Sequence, residues 1–439
     1  MIAQNKSTPS KNTILINWII YVKLYTTIID QQITKKEGVS NNRCCYTIKM
    51  KAFDFKFPTQ VVMGEGRLSE LGTLAKEYGD KVFLVYDPFL KGSQTLENIK
   101  QNLVDSNLDF VEFNDISPNP RNTSIDTGTE LCVKEHCEVV VAIGGGSAID
   151  SAKANALVAT NGGNCWEYTE RAGEDVTRPT KPSLPMIVVP TTAGTGTEAT
   201  SFAVINNPSE KRKCTIISPT IFPDIALVDP EIMKTIPPMI TALTGLDTFA
   251  HALESYISVN ATPISEMLSL YSIELFAKSI REAVHNGTNV EARDQMALAC
   301  GLGGAAIGTA GVTLPHALGQ PLGALTDAPH GGTLAACFPQ IIEWTLPYAE
   351  DKLAKVSELL DSQLDQKLTT AEKAAELPRI LHELYTDLGV DVSFGKYGLK
   401  EENIEELADL CFVGFLQDLS AHPKPVTRED VIKLIHSCM

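Results

Sequence analysis

Three short apolar runs, rich in β-branched residues, constrain how the first half of this chain can fold. They lie at 81–86, 139–143 and 186–189, separated by stretches typical of helices. Runs that are apolar at nearly every position predict strands buried on both faces, as in a parallel sheet covered by helices on both sides. Ligands bind such sheets beyond the carboxyl ends of the strands. We therefore predict an α/β domain over residues 50–236, with a ligand site at the carboxyl edge of its sheet.

Each run ends in residues that can bind a nucleotide. The second is followed by Gly144-Gly145-Gly146-Ser147 at the start of a helix. Glycines there let a pyrophosphate approach the backbone, and the helix N-terminus offers free N–H groups. The third precedes the hydroxyl-rich segment 191–198, and the first precedes Asp87, an acid suited to an adenosine ribose. Taken singly, a glycine turn, a polar loop and a turn acid each have an ordinary structural explanation.

From about residue 237 the pattern changes to helices and contains a candidate metal site. Asp247 and His251 are four residues apart, which places both on one face of a helix. His316 and His330 follow in a segment rich in glycine and proline. One carboxylate and three imidazoles are typical ligands of a divalent first-row metal. A metal site and a nucleotide loop in one chain indicate metal-assisted hydride transfer.

The second half is predicted to be an all-helical, metal-binding domain over residues 237–439. Apolar periodicity predicts a helix over 264–285, ending at Asn286-Gly287. Residues 292–308 are rich in small side chains, which favours closely packed helices. The stretches 351–387 and 400–417 have the pattern of amphipathic helices.

The first 49 residues differ from the rest in charge. They hold seven Lys or Arg and two acids, which leaves 30 basic and 52 acidic residues, a net charge of about −22, for residues 50–439. That charge disfavours nucleic acid and anionic membranes as partners. The apolar stretch 14–29 is too short and too polar for a typical membrane span. We interpret residues 1–49 as a leader outside the fold; a targeting or membrane-attached segment is the alternative.

Cysteine usage indicates the compartment. The ten cysteines contain no CxxC pair, so neither a disulfide framework nor a zinc knuckle is predicted. A reducing cytoplasm is the expected location.

Four motifs in order resemble the iron-containing, or group III, alcohol dehydrogenase family. They are AIGGGSAIDSAK, PTTAGTGTEAT, ALTGLDTFAHALESYIS and HALGQPLGALTDAPHG. The resemblance covers the chain from Met50 to its C-terminus. It implies an α/β dinucleotide-binding domain, an all-helical domain and a catalytic metal between them, the dehydroquinate synthase-like architecture. A homodimer is the corresponding expectation for oligomeric state.

The resemblance also implies roles for individual residues. Asp247, His251, His316 and His330 match the ligands of the catalytic metal, usually Fe2+ and in some members Zn2+. The residues that match the family's NAD-binding positions are Asp87, Asn119, Gly145, Gly146, Ser147, Asp150, Thr191, Thr192, Thr195 and Lys213.

One position departs from the family pattern. Many members have a histidine four residues after the third metal ligand, and this chain has Gln320 there. Glutamine can form hydrogen bonds but cannot carry a proton. The expected catalytic group is therefore Gln320 together with the four metal ligands, without a proton relay through position 320.

The function implied by the resemblance is NAD-dependent interconversion of a primary alcohol and an aldehyde. Two enzymes on the same scaffold are alternatives: a hydroxyacid–oxoacid transhydrogenase that retains its cofactor, and a zinc-dependent polyol dehydrogenase. A filament or interaction protein with a vestigial site is the non-enzymatic alternative, against which the intact ligand set argues.

Overall fold

The computed structural model describes residues 52–171 and 173–439. Their contacts group Phe53–Met439 into one compact unit. The predicted leader, residues 1–49, lies outside the described residues. The prediction of a domain boundary near residue 236 stays a prediction, although the last strand ends at Val228 and the first long helix begins at Pro238.

A parallel sheet forms the core of the first half. Among the described residues it has six strands in the order β1-β8-β5-β4-β2-β3, every neighbouring pair parallel. The three predicted strands are its centre, so the predicted fold class is confirmed. The sheet strands are β1 Gln60–Met63, β2 Lys81–Tyr86, β3 Asp109–Phe113, β4 Val139–Gly144, β5 Met186–Pro190 and β8 Ile225–Val228.

Both faces of this sheet are buried, as continuous apolar runs require. On β2, Phe83 and Val85 belong to one apolar core, whereas Val82 and Leu84 belong to another on the opposite face. This alternation follows from the two-residue period of a strand. The helices of this half are α1 Leu71–Lys76, α2 Gln94–Asp105, α3 Asn122–Lys134 and α4 Gly146–Asn161.

An antiparallel hairpin, which the sequence analysis did not predict, lies between β5 and β8. Its strands are β6 Phe202–Asn207 and β7 Arg212–Ile217. Side chains on both strands line the central cavity described below. The hairpin therefore adds a wall to the binding edge of the sheet.

The second half is helical, as predicted. Three long helices pack together and a fourth packs against the first two: α5 Pro238–Ile257, α6 Pro263–His285, α7 Val290–Ala310 and α9 His330–Leu360, with α8 Leu314–Thr326 before the last. Shorter helices follow: α10 Thr370–Ala375, α11 Leu377–Leu388, α12 Ile404–Gly414, α13 Leu416–Ala421 and α14 Arg428–Ser437.

The predicted stretches 351–387 and 400–417 are each divided in the structure. Between α9 and α10, the side chains of Asp361 and Asp365 accept hydrogen bonds from the backbone N–H two residues further on. Such local bonds compete with helical ones and favour turns. Thr369 then caps α10 with a capping box, so a new helix begins there.

Small residues allow α7 to approach the polar loop after β5. A Cβ on Gly304 would lie 2.3 Å from the carbonyl oxygen of Gly196. Gly196 itself has φ +59°, a conformation that favours glycine. The two glycines therefore bring the helical half directly against the loop that contains Thr195.

The described residues contain no single helix whose length and apolarity would let it span a bilayer. By length and composition, the bent pair Val290–Ala310 and Leu314–Thr326, at 105° to each other, passes the same test.

Candidate metal centre and nucleotide cleft

Three helices bring the four predicted metal ligands together. Asp247 and His251 lie one turn apart on α5, His316 is in the first turn of α8, and α9 begins at His330. The Nε2 atoms of the three imidazoles lie 3.5, 3.7 and 3.7 Å from one atom, Oδ1 of Asp247. The ligands therefore converge on one point although they are 83 residues apart in sequence at the extremes.

The cluster fits a divalent metal ion. The ligand atoms of Asp247, His251 and His316 all lie within 4.8 Å of one another. Oδ1 of Asp247 and Nε2 of His316 are buried and have no hydrogen-bond partner among the described residues. Leaving such atoms unpaired is costly, and a bound cation would satisfy them. His330 lies outside this tightest group and is more exposed, which places it at the open side of the cluster.

The electrostatics of Asp247, His251 and His330 suit a metal-binding state. Burial opposes ionisation of Asp247, but the surrounding imidazoles lower its pKa below the usual range. Burial lowers the pKa of His251 and of His330, which keeps both rings neutral. A neutral imidazole and an ionised carboxylate are the forms that bind metals.

His316 is held by a second carboxylate that the sequence analysis missed. Nδ1 of His316 lies 2.5 Å from Oε1 of Glu254, which is fully buried on α5. Burial lowers the pKa of His316, but the Glu254 and Asp247 carboxylates raise it to about 10. With Nδ1–H donating to Glu254, Nε2 faces the metal position.

Glu254 is itself fixed by the segment that begins α8. Its Oε2 accepts hydrogen bonds from the backbone N–H of Thr313 at 2.6 Å and from the Thr313 hydroxyl at 3.1 Å. A sequence signal for Glu254 existed, since it is seven residues after Asp247 and three after His251, on the same helix face.

The glycine loop after β4 is packed too tightly for side chains. Gly144 has φ +157°, and a Cβ there would lie 2.6 Å from Cβ of Ala148 and 3.1 Å from Cβ of Asp87. A Cβ on Gly146 would lie 2.6 Å from Cγ2 of Thr195. The glycine loop therefore packs against the end of β2 and against residues 191–200, the threonine loop that follows β5.

The N-terminus of α4 is free to bind an anion. Its N-cap, Gly145, offers no side chain to cap the first turn. Gly146 and Ser147 in that turn line the central cavity. Uncapped N–H groups at the start of a 16-residue helix form a suitable site for a pyrophosphate.

Two charged side chains of α4 hold the threonine loop in place through hydrogen bonds. The fully buried ammonium of Lys153 donates hydrogen bonds to the carbonyl oxygens of Thr197, Thr200 and Phe202, at 2.6, 2.8 and 2.8 Å. Asp150 accepts from the Thr197 hydroxyl at 2.7 Å and from the N–H of Val204 at 3.0 Å. Both oxygens of Asp150 are thus engaged within the protein, where the carboxylate positions the loop.

Lys213 and Asn119 form a hydrogen-bonded chain across the cleft. Nζ of Lys213 donates to Oδ1 of Asn119 at 3.0 Å, and Nδ2 of Asn119 donates to Oδ1 of Asp327 at 3.2 Å. Asn119 and Asp327 both have φ +57°. The chain connects β7 with the turn that leads into His330.

One cavity of about 260 Å³ contains most of the predicted site residues. It brings together residues from both halves: Asn119, Gly146, Ser147, Asp150, Thr195, Lys213, Asp247, His251, His316, Gln320 and His330. Four predicted cofactor residues do not line it and lie beside it, at strand ends or in the adjoining loops: Asp87, Gly145, Thr191 and Thr192. Whether they contact the cofactor stays a prediction.

A metal-ligand cluster facing a nucleotide loop defines a class, the metal-dependent and nucleotide-linked oxidoreductases. Two family models match the chain: iron-containing alcohol dehydrogenase over residues 58–230, and the C-terminal domain of Fe-containing alcohol dehydrogenases over residues 241–439. The chain belongs to the iron-containing alcohol dehydrogenase family. The predicted family and the predicted class of enzyme, an NAD-dependent oxidoreductase acting on alcohols, are therefore confirmed.

Characterised relatives support this assignment along nearly their whole length. The chain is 33% identical to the NAD-dependent methanol dehydrogenase of Bacillus methanolicus, over 88% of this chain and 100% of the relative. An archaeal halo-thermophilic Red Sea brine pool alcohol dehydrogenase has a TM-score of 0.85 at 30% identity, covering 89% and 100% of the two chains. Sulfoacetaldehyde reductase of Bifidobacterium kashiwanohense, solved in complex with NAD+, has a TM-score of 0.77 at 28% identity, covering 88% and 99%.

Proposed function

We propose that the protein interconverts a small primary alcohol and its aldehyde with NAD(H), using a divalent metal held by Asp247, His251, His316 and His330, with iron as the first candidate. The observation that carries this proposal is the convergence of three imidazole Nε2 atoms on Oδ1 of Asp247, 3.5 to 3.7 Å away. The same cavity contains the glycine loop, so metal ligands and nucleotide-binding groups face one volume.

When bound, the metal supplies Lewis-acid polarisation of the substrate oxygen and the nicotinamide supplies the hydride chemistry. The protein contributes orientation. Glu254 fixes the ring of His316, and Lys153 fixes the threonine loop. The N-terminus of α4 and the Lys213–Asn119 pair bind the polar parts of the nucleotide.

Position 320 determines how a proton leaves the site. Gln320 lies one turn after His316 on α8 and lines the cavity, but its amide cannot accept and release a proton. Among the described residues, its Oε1 has no hydrogen-bond partner. A proton released during alcohol oxidation therefore leaves through water or a ribose hydroxyl of the cofactor.

An anaerobic assay tests this proposal. Chelator-treated protein would be re-supplied separately with Fe(II) and Zn(II), and NADH oxidation would be followed with short aldehydes and oxoacids. Turnover of a simple aldehyde with NADH that depends on added metal supports the proposal. Metal-independent turnover contradicts it, and turnover between two organic substrates without free NAD would indicate a transhydrogenase instead.

Oligomeric state and location complete the proposal: a homodimer in the cytoplasm. The exposed edge strand β1, with Val61 half-exposed, supports an association through the sheet edge. The eight cysteines among the described residues are all buried and free of disulfides, as expected in a reducing compartment. Light scattering would measure the mass in solution, and a fluorescent fusion would report the location.

A further inference from the structure

The metal ligand His330 has no side-chain partner that orients its ring. Its Nδ1 is buried and forms no hydrogen bond among the described residues, whereas Nδ1 of His316 is held by Glu254. The His330 side chain is also the most exposed of the three imidazole ligands, at 26%. The direction in which this ring points therefore depends on the backbone around it.

The backbone on each side of His330 is held in a different way. After it, Gly331 lies so close to α5 that a Cβ there would be 1.9 Å from the carbonyl oxygen of Leu243. Before it, a short turn leads from α8 to α9. Asp327 begins this turn with φ +57°, and its Oδ1 accepts the hydrogen bond from Nδ2 of Asn119 at 3.2 Å. The turn before His330 is therefore connected to the α/β half across the cleft.

The Asn119 amide can form this connection in one orientation only. Its Oδ1 accepts from the ammonium of Lys213 at 3.0 Å while its Nδ2 donates to Asp327. An ammonium can only donate and a carboxylate can only accept, so a reversed amide would lose both hydrogen bonds. Lys213 lines the cavity, and its ammonium forms no other hydrogen bond among the described residues. Its remaining N–H groups are therefore available to a cofactor.

We propose that the hydrogen bond between Asn119 and Asp327 positions His330, so that the metal and a nicotinamide cofactor each strengthen the binding of the other. This inference rests on the proposed function and adds a coupling between its two ligands. A cofactor bound at Lys213 orders the amide and the turn, and a metal bound at His330 orders the same turn from its other end. Each ligand thereby removes part of the ordering cost for the other, and linkage requires the two effects to be equal.

Binding measurements test the coupling without an assay of turnover. The affinity for Zn(II) would be measured by competition with a coloured chelator, with and without saturating NADH. The affinity for NADH would be measured by its fluorescence, on metal-free and on Zn(II)-loaded protein. We expect each ligand to raise the affinity for the other by about 3- to 10-fold, the effect of one hydrogen bond that is fully ordered only when both ligands are bound.

Variants at both ends of the hydrogen bond connect the coupling to these side chains. Asp327→Gly removes the acceptor but tolerates the left-handed backbone, and it should remove most of the coupling. Asp327→Asn keeps an acceptor oxygen and should retain most of it. Asn119→Asp places two carboxylates opposite each other and should abolish the coupling. The double variant Asn119→Asp/Asp327→Asn places a donor opposite an acceptor again, and it should recover the coupling.

A second contact across the cleft provides the matched control. Nζ of Lys211, in the turn of the hairpin, lies 4.0 Å from Oε1 of Glu406 on α12. The two side chains are 74% and 44% exposed, and an ion pair this exposed contributes little. Glu406→Gln should therefore leave the coupling unchanged.

Two results would overturn the inference: independent binding of Zn(II) and NADH in the wild type, or a coupling that persists in Asp327→Gly. An equal loss of coupling in Glu406→Gln would also overturn it, because any contact between the two halves would then suffice. These outcomes leave the proposed function intact. A protein that binds neither Zn(II) nor NADH would contradict the proposed function, and the coupling with it.

Discussion

The two walls of the cleft treat buried polar atoms in opposite ways. On the helical wall, Oδ1 of Asp247 and Nε2 of His316 have no hydrogen-bond partner among the described residues. On the nucleotide wall, the equally buried Lys153 donates to backbone and hydroxyl oxygens of the threonine loop, and Asp150 accepts from two N–H or O–H groups. The metal cluster on the first wall is incomplete without a cation, whereas the buried charged side chains on the second wall are satisfied without a ligand.

This difference separates binding residues from positioning residues. A buried charge that already has its hydrogen bonds within the protein can hold a loop in place, but it has little hydrogen-bonding capacity left for a ligand. A buried atom without a partner has that capacity. An unpaired atom is not sufficient by itself, however, because Nδ1 of His422 is also unpaired, although among the described residues His422 belongs to no group of three potential metal ligands.

The largest expected effect on turnover comes from removing Asp247, whose Oδ1 is the atom on which the three imidazoles converge. Asp247→Ala should abolish metal retention and lower turnover by about 10³-fold or more, since the Lewis-acid contribution amounts to several kcal/mol. Metal content after gel filtration, together with kcat, is the measurement. Asp351→Ala, at an exposed position on α9, is the control. Full activity in a metal-free Asp247→Ala protein would refute the assignment, as it would for His330→Ala.

A smaller effect is expected for Glu254, which acts through His316. Glu254→Gln should weaken metal affinity by about 10- to 100-fold, the usual cost of losing a partner of a metal-bound histidine. Competition with a coloured chelator measures the affinity. Glu254→Asp should recover part of it, and Glu266→Gln, which removes a carboxylate paired with Lys352 near the surface, should not change it. Unchanged affinity in Glu254→Gln would make Glu254 a packing residue only.

Glu254 and Lys153 show where sequence reasoning stops. The strands at 81–86, 139–143 and 186–189 and the four converging ligands follow from local patterns and a helical period, and the structure has them in those places. The partner of His316 is 62 residues away in sequence, and the carbonyl groups that bind Lys153 are 44 to 49 residues away. Helical spacing places Glu254 on the same face of α5 as Asp247 and His251, but the groups that Glu254 and Lys153 bind depend on tertiary packing, which no local pattern encodes.

The boundaries of the later helices were predicted poorly for a different reason. Amphipathic periodicity continued through 361–369, but side chain–backbone bonds at Asp361 and Asp365 ended the helix there. Here local capping chemistry competes with periodicity.

His422 is a buried histidine outside the metal cluster, and its lowered pKa makes the free energy of unfolding depend on pH. Burial lowers its pKa to about 3, its Nε2 lies 2.9 Å from the hydroxyl of Thr345, and its ring stacks on Trp344. Between pH 6.5 and 3 the unfolded chain therefore binds a proton that the folded chain does not, and the free energy of unfolding falls as pH falls. The contribution of this one group is about 1.4 kcal/mol per pH unit, or about 2 kcal/mol between pH 6.5 and 5.

Chemical denaturation of the wild type and of His422→Phe across this range measures the contribution. The free energy of unfolding of the variant should depend less steeply on pH, because phenylalanine does not titrate. Phenylalanine can still stack on Trp344. Metal content should be equal in the two proteins. Loss of metal from His422→Phe would contradict the distinction drawn between this histidine and the cluster, and parallel pH profiles would contradict the low pKa.

The smallest expected effect lies at Asp87, beside the glycine loop. Its carboxylate accepts a hydrogen bond from the N–H of Phe89 at 3.0 Å. Part of its hydrogen-bonding capacity is therefore used within the protein, as it is for Asp150 on the same nucleotide wall. If it also repels a 2′-phosphate, Asp87→Gly should raise the kcat/KM ratio of NADP to NAD by roughly tenfold, the value of one screened like-charge contact. Asp87→Asn keeps the hydrogen bond from Phe89 and removes only the charge, so it should give a similar shift.

Asp80→Asn, just before the start of β2, is the control and should leave the NADP-to-NAD ratio unchanged. A shift in Asp87→Gly alone would show that Asp87 acts through the shape of the turn, and no shift in either variant would make it a positioning residue like Asp150.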